Sequence, residues 1–334
     1  MVLMEWLKDL ALTGIYTMLG RIADMADDLV GWVVADARPD TDYKGSVIDE
    51  WSDKQIIGRG NETGHENNLL KITDTTYLLA SHTILKAEPI YPDEPASTEA
   101  AALALVFKKT TIPVPRLRRT IHVDSPTCII AMDFVEGKVL SEAWPNLTIM
   151  EKIRVACALR RYIRQLRRKL QGTKDTPPGP ATTILKACEA PSFFGSRIDT
   201  RGPFKTAKDL SSFLSRVYDH AMKIQKVPPE HPWHKERQIS TLVFCHMDLV
   251  PRNIILGNDG WVWIIDWGFS GYYPAWFEYV AMVEQAANDR ERDCDFQYWE
   301  KLIPFICGPY FSEHKWYWRM VCGFDYKLKS YYDG

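Results

Sequence analysis

Asp248, Asn253 and Asp266 have the types and spacing that chemistry needs. They bracket two short apolar runs, Asn253 to Leu256 and Trp261 to Ile265, which flank Gly257-Asn-Asp-Gly260 and so predict a β-hairpin. Asp248 and Asn253 precede the first strand and Asp266 ends the second, so closing the hairpin brings all three side chains to one end. A carboxylate there can accept a proton, while an amide oxygen and a second carboxylate are hard ligands suited to Mg²⁺. The stretch therefore outlines a site for magnesium and proton transfer. The competing reading is a buried hairpin whose polar ends only cap turns; the full double motif favours the first.

The spacing His246-Met-Asp248-Leu-x-x-x-Asn253, followed by Asp266-Trp-Gly268, fits the H-R-D-L-x-x-x-N and D-F-G elements of the protein-kinase catalytic signature. On His246-x-Asp248-x-x-x-x-Asn253, Ile264-Ile-Asp-Trp267 and Gly271-Tyr-Tyr-Pro-Ala-Trp-Phe-Glu-Tyr279, the chain resembles the aminoglycoside phosphotransferase and choline kinase family, most of all its fungal members. Two positions depart from the family pattern: Met247 replaces the usual Gly, and Gly268 stands where fungal relatives commonly have Glu. The resemblance implies Asp248 as the base that accepts a substrate hydroxyl proton, and Asn253 and Asp266 as ligands to the magnesium that accompanies ATP. His246 is expected to brace the loop rather than react.

Other elements must present the nucleotide to these groups. From Lys54 the pattern changes to short strands: Gln55 to Ile57, then a turn Gly58-Arg-Gly-Asn-Glu-Thr-Gly64, then Asn68 to Thr73, Tyr77 to Leu79 and His82 to Lys86. A glycine-rich turn between strands can lay backbone N–H groups over phosphates, which makes Gly58 and Gly60 candidates, although an ordinary hairpin turn has the same appearance. Lys86 ends an apolar strand like the lysine of the kinase V-A-I-K strand, with Lys71 as a weaker competitor. Glu99, on a helix expected from Ala96 to Lys109, would hold Lys86 against the α- and β-phosphates. Thr110-Thr-Ile-Pro-Val-Pro115 ends that helix, and strands follow at Leu117 to Val123 and Cys128 to Phe134. By resemblance, Met132-Asp-Phe-Val-Glu-Gly137 is the interlobe hinge, where the backbone of Asp133 and Val135 hydrogen-bonds adenine and Met132 walls the pocket.

Helical periodicity marks the remainder. Leu12, Ile15, Leu19, Ile22, Met25 and Leu29 form one stripe, with Arg21, Asp24, Asp27 and Asp28 between them. The acidic polar face argues against anionic lipid and for packing on the body of the protein. Ala37 to Ser52 reads as a connector. Ile153, Ala156, Leu159, Ile163, Leu166 and Leu170 form another stripe, and the arginines around it, from Arg154 to Arg168, read as a solvated face rather than a nucleic-acid surface. Lys208 to Lys226 is expected to be helical, and the aromatic C-terminal stretch reads mainly as core.

Composition agrees. The 334 residues suffice for one two-lobed enzyme, the net charge of −2 argues against a general nucleic-acid binder, and seven scattered cysteines read as reduced thiols. No stretch reads as a membrane span, so a cytoplasmic protein is expected. The expectation is an α+β, bilobal protein kinase-like fold: an N-terminal helical extension and connector (residues 1–50), a lobe of antiparallel sheet plus one helix (51–134), and a mainly helical lobe carrying the catalytic and metal-binding loops (135–334). Its activity would be ATP-dependent phosphorylation of a hydroxyl on a small molecule, with ATP and Mg²⁺ as cofactors and no nucleic-acid or membrane partner. The oligomeric state is not legible. The alternatives are a protein kinase and a catalytically silent pseudokinase that binds or scaffolds. The short step from Gly268 to Tyr273 favours a small acceptor over a peptide, and intact Asp248, Asn253 and Asp266 oppose the silent reading.

Overall fold

The computed structural model describes residues 2–33, 45–61, 70–80, 82–89, 97–123, 127–182, 184–194, 201–228, 239, 241–291 and 296–325. Helix α1 (Val2–Val33) is followed by α2 (Asp53–Asn61) and by strands β1 (Leu70–Lys71), β2 (Thr76–Ala80) and β3 (Thr83–Pro89). Helix α3 (Thr98–Lys109) then crosses to β4 (Leu117–His122) and β5 (Thr127–Asp133), and the five strands form one antiparallel sheet in the order β1-β2-β3-β5-β4. Local chemistry explains α3: Ser97 caps it by accepting from the Ala100 amide at 3.1 Å, Glu99 lies in its first turn, and Lys108 and Lys109 lie in its last.

Strand alternation decides what each face of this sheet touches. Leu85, Ala131 and Ile121 point to one side, where they bury against Ile48 and Ile56. Lys86, opposite Ile130 in the register, and Ile84, opposite Met132, point to the other. That second face is continuous with the main core and meets α3.

After β5 the chain becomes mainly helical. Strand β6 (Gly137–Val139) and α4 (Leu140–Ala143) lead to the long α5 (Ile149–Lys169), which opens on a Thr148/Glu151 capping box. Strand β7 (Gly179–Pro180), α6 (Pro191–Phe194) and α7 (Ala207–Ile224) follow, then β8 (Val243–Cys245), β9 (Ile254–Gly257), β10 (Val262–Ile264), β11 (Gly271–Tyr273), α8 (Ala275–Glu291), α9 (Trp299–Cys307) and α10 (Phe311–Asp325). Two small antiparallel sheets, β10-β9-β6 and β7-β11-β8, frame the stretch from His246 to Asp266. Gly137 must be glycine, because a Cβ there would collide with the Leu256 carbonyl across the β6–β9 pair. Most of the C-terminal aromatic residues are core, as in the stacked Tyr218–Trp316 pair at 5.2 Å, whereas Trp318 is exposed.

Three expectations are corrected. Residues Gln55 to Ile57 are helical, because Ser52 and Gln55 form a reciprocal cap: the Gln55 side chain accepts from the Ser52 amide at 2.8 Å while the Gln55 amide donates to Ser52 Oγ. Gly58 and Gly60 therefore lie on helix α2 and not in a turn between strands, and residues 62–69, including Gly64, fall outside the described residues. Lys86 lies inside β3, which continues to Pro89, rather than at a strand end.

The third correction concerns the arginines of α5, expected as a solvated face. Helix α1 packs on the body, as expected, and does so through its acidic side: Asp24 pairs with Arg160 at 2.7 Å, and Asp27 and Asp28 pair with Arg164 at 3.0 and 2.7 Å. Arg160, Arg161, Arg164 and Arg168 of α5 are thus paired with acids of another helix, whereas Arg154 is exposed. Asp9 pairs with Lys315 and the Tyr16 hydroxyl donates to the Lys301 carbonyl at 2.9 Å, so α1 is also tied to α9 and α10. No helix among the described residues is long and apolar enough to cross a membrane.

Candidate active site

The hairpin forms as its residue pattern requires, with Ile254 opposite Ile264 and Leu256 opposite Val262. The Ile265 amide donates to the Asn253 carbonyl at 3.0 Å, which fixes the end of β10 beside the start of β9. Asn253 Nδ2 donates to Asp248 Oδ2 at 2.8 Å and to the Asp248 carbonyl at 2.9 Å. The amide nitrogen is thereby occupied, and Oδ1 is the ligand atom Asn253 has to offer. On the opposite side, Lys86 Nζ contacts Glu99 Oε2 at 2.5 Å and Asp266 Oδ1 at 2.8 Å. The expected lysine is therefore joined both to the helix glutamate and to Asp266, the second residue expected to bind metal, while Lys71 is exposed and pairs with its neighbour Asp74.

His246 links the two loops. Its Nδ1 accepts from the Asp248 amide at 3.2 Å, so Nε2 carries the proton and donates to the Ile265 carbonyl at 3.1 Å, one residue before Asp266. Burial lowers its pKa to about 4, which keeps the ring neutral and fits a brace rather than an acid or base.

The carboxylates differ in environment. Burial raises the pKa of Asp248 against the pull of the Arg252 guanidinium, whose Nη2 contacts both carboxylate oxygens at 3.0 and 3.3 Å. Burial alone would raise Asp266, but the ammonium of Lys86 outweighs it and holds this carboxylate below its ordinary value. Burial likewise works against charge on Lys86, yet Glu99 and Asp266 together raise its pKa. Glu99, almost wholly buried, is raised by desolvation. The site thus holds an ionised, half-exposed Asp266 beside a buried Asp248 of higher proton affinity.

Three contributors escaped the sequence reading. Glu278 is buried and accepts from the amides of His246 at 2.5 Å and Met247 at 3.1 Å; burial brings its pKa to about 7. It lies inside the Gly271 to Tyr279 segment on which the resemblance rests, but one-residue spacing gives no sign that it reaches back to the loop. Arg252, four residues after Asp248, also reaches Asp289 at 3.4 Å. Glu88, two residues beyond Lys86 on the same sheet face, accepts from Ser97 Oγ. Met247 takes φ 68°, a left-handed conformation that explains glycine as the family's usual residue there.

Of the hinge residues, Met132 lies on the sheet face that bears Lys86, whereas Asp133, next along β5, points to the opposite face. Met132 is buried opposite Ile84, and the Asp133 amide donates to the Arg116 carbonyl at 3.0 Å. The site therefore brings together Asp248, Asn253, Asp266, Lys86 and Glu99 but places Gly58 and Gly60 on a separate helix.

Several solved structures are similar to this chain at a distance. One is an apo thermostable mutant of aminoglycoside phosphotransferase APH(4)-Ia, at 13% identity over 84% of this chain and 100% of that one, with a TM-score of 0.41. Another is ADP-bound APH(2'')-Ib, at 14% identity over 84% and 93% with a TM-score of 0.42. A third is the GDP and kanamycin complex of APH(2")-IIia, at 13% identity over 81% and 86% with a TM-score of 0.43. Likeness this remote does not carry their ligands to this chain. No curated protein matches it. Residues 59–300, well over half of the chain, match the profile of the phosphotransferase enzyme family, and the protein belongs to that family.

Proposed function

We propose that the protein is an ATP-dependent kinase that transfers the γ-phosphoryl group to a hydroxyl of a small molecule. The observation that carries this reading is the joining of two pairs at one end of the hairpin, Asp248 with Asn253 and Lys86 with Asp266. Asp248, fixed by Asn253 and Arg252, is the base: its raised proton affinity suits it to take the acceptor's proton as the oxygen attacks phosphorus. Lys86, kept charged by Glu99, orients the phosphates.

Among the described residues no cluster of three or more His, Cys, Asp or Glu side chains could hold a metal by itself. The donor set fits Mg²⁺, which is commonly held by one or two carboxylates together with substrate phosphates. Asn253 Oδ1 and Asp266 would hold it, and the ion would neutralise charge on the phosphates. The Lys86–Asp266 contact is then a resting arrangement that separates as the lysine turns to phosphate. The adenine would lie against Met132, hydrogen-bonded by the Asp133 carbonyl, since that residue's amide is already engaged, and by the Val135 amide.

The turn from Trp267 to Ser270 passes directly into β11 and then α8, leaving little backbone to cradle an extended peptide. This favours a small acceptor. We divide the chain functionally into the extension 1–50, the nucleotide lobe 51–134 and the acceptor-binding lobe 135–334, and place the reaction in the cytoplasm. The test is an ATP-consumption screen against a library of hydroxyl-bearing metabolites, with Asp248→Asn as control. Turnover with one acceptor class and its loss in the variant is expected; equal consumption by both proteins would refute the base assignment.

A further inference from the structure

Helix α1 presents its apolar side to solvent. Asp24, Asp27 and Gly20 face α5, so closely that a Cβ on Gly20 would collide with the Arg160 guanidinium. With 3.6 residues per turn, Ile15, Met18, Ile22, Met25 and Leu29 lie within about 40° of the line opposite Gly20. All five are between 50% and 72% exposed. Single exposed apolar residues are ordinary, but a continuous stripe marks an interaction surface. The steps along this stripe alternate three, four, three and four residues, the a/d spacing of a two-stranded coiled-coil seam.

We propose that this stripe is a self-association surface on which α1 pairs with α1 of a second copy, antiparallel and centred between Ile22 and Met25. The spacing selects a helix as the occupant. A lipid surface requires no such seam and favours an excess of basic residues beside the stripe, whereas this helix sets the single Arg21 against Asp24, Asp27 and Asp28. The charges then select the same helix, its direction and its register. With Ile15, Ile22 and Leu29 at a and Met18 and Met25 at d, the g flank carries Arg21 and Asp28 and the e flank carries Leu19 and Ala26.

In an antiparallel pair, g meets g and e meets e. Setting Ile22 against Met25 of the second copy brings Arg21 beside Asp28 of that copy, twice by symmetry, and lays Leu19 on Ala26. Sliding by one heptad would oppose Arg21 to Arg21, and a parallel pair would oppose Arg21 to Ala26. Complementary rim charges fix register in this way, and a two-fold pair closes on itself without growing into a filament. Asp28 is well exposed despite its contact with Arg164, so its carboxylate can accept a second donor.

Sedimentation of the full chain over a concentration series tests the proposal. A reversible monomer–dimer equilibrium is expected, lost in Ile22→Glu/Met25→Glu while circular dichroism stays unchanged. Arg21→Asp should weaken the dimer at least tenfold, and adding Asp28→Arg should restore most of that loss. A wild-type chain that remains monomeric throughout overturns the proposal. So does a monomer that instead floats with phosphatidylcholine vesicles, which would reassign the stripe to a lipid surface, or a dimer indifferent to Ile22→Glu/Met25→Glu. Failure of Asp28→Arg to rescue Arg21→Asp overturns the antiparallel register.

Discussion

Glu278→Gln probes the catalytic loop without altering its volume. The Glu278 carboxylate accepts two backbone amides, from His246 and Met247, whereas a glutamine offers one oxygen and turns an NH₂ toward the other amide. A hydrogen bond to a charged group contributes about 1.5–3 kcal/mol. The variant forfeits one such bond but no longer buries a charge, so its absolute stability at one pH is a poor diagnostic. The pH dependence is decisive.

The Glu278 pKa is raised in the folded protein from 4.5 to about 7, so the folded state binds this proton more tightly than the unfolded state. Its contribution to stability is fully present below the unfolded value and is lost as pH rises through about 7, a span worth about 3 kcal/mol. Glutamine does not titrate. Urea unfolding of both proteins at about pH 5 and about pH 8 should therefore show wild type losing on the order of 3 kcal/mol more than the variant over that interval.

The same substitution should slow catalysis. Met247 occupies a left-handed conformation that costs a non-glycine residue roughly 1–2 kcal/mol, and Glu278 helps hold it there. Releasing one anchor lets Asp248 drift, and a misplacement of about 1 Å can cost 10²-fold in rate. Turnover should fall while nucleotide affinity is retained. Identical pH slopes for the two proteins, with unchanged turnover, would refute the assignment of Glu278 as the loop anchor.

Further outcomes follow from the same contacts. Lys86→Ala should abolish turnover and also lower stability by about 3–5 kcal/mol, because Glu99 is left buried without its cation, whereas Lys71→Ala should change neither; urea unfolding and ATP turnover check both. Lys86→Met/Glu99→Leu should recover stability but not activity. Arg252→Ala removes the charge that opposes burial at Asp248, so the acid limb of the pH–rate profile should move to higher pH. Met247→Gly should relieve roughly 1–2 kcal/mol of backbone strain but lose the burial of a whole side chain, about 1.5–3 kcal/mol plus a cavity, so it should destabilise. Asp266→Ala should remove the magnesium-dependent part of the nucleotide-induced rise in melting temperature.

The hairpin and its three polar residues were legible because they rest on local pattern, apolar runs about a Gly/Asn/Asp turn, whereas the Lys86–Glu99 pair was legible only through likeness to the kinase lysine strand and the helix that follows it. Helix α2 was misread although its Ser52-x-x-Gln55 capping box is visible in the sequence; the glycines that follow outweighed it. Glu278 and Arg252 could not be found by spacing, since their roles depend on α8 folding back under the loop and on the pitch of the single turn after Asp248. The stripe of α1 was legible as amphipathic, but the face by which the helix docks was not. That depended on Arg160 and Arg164, more than a hundred residues away, offering the acids a better environment than water.

The most direct test of the central claim is transfer of label from [γ-³²P]ATP by wild type and Asp248→Asn, to a hydroxyl-metabolite pool and, in parallel, to generic protein substrates. The account predicts labelled metabolite with wild type, a loss of about 10²–10⁴-fold in Asp248→Asn with nucleotide binding intact, and negligible labelling of protein. Equal transfer by the two forms, or efficient labelling of protein with no metabolite acceptor, would contradict it.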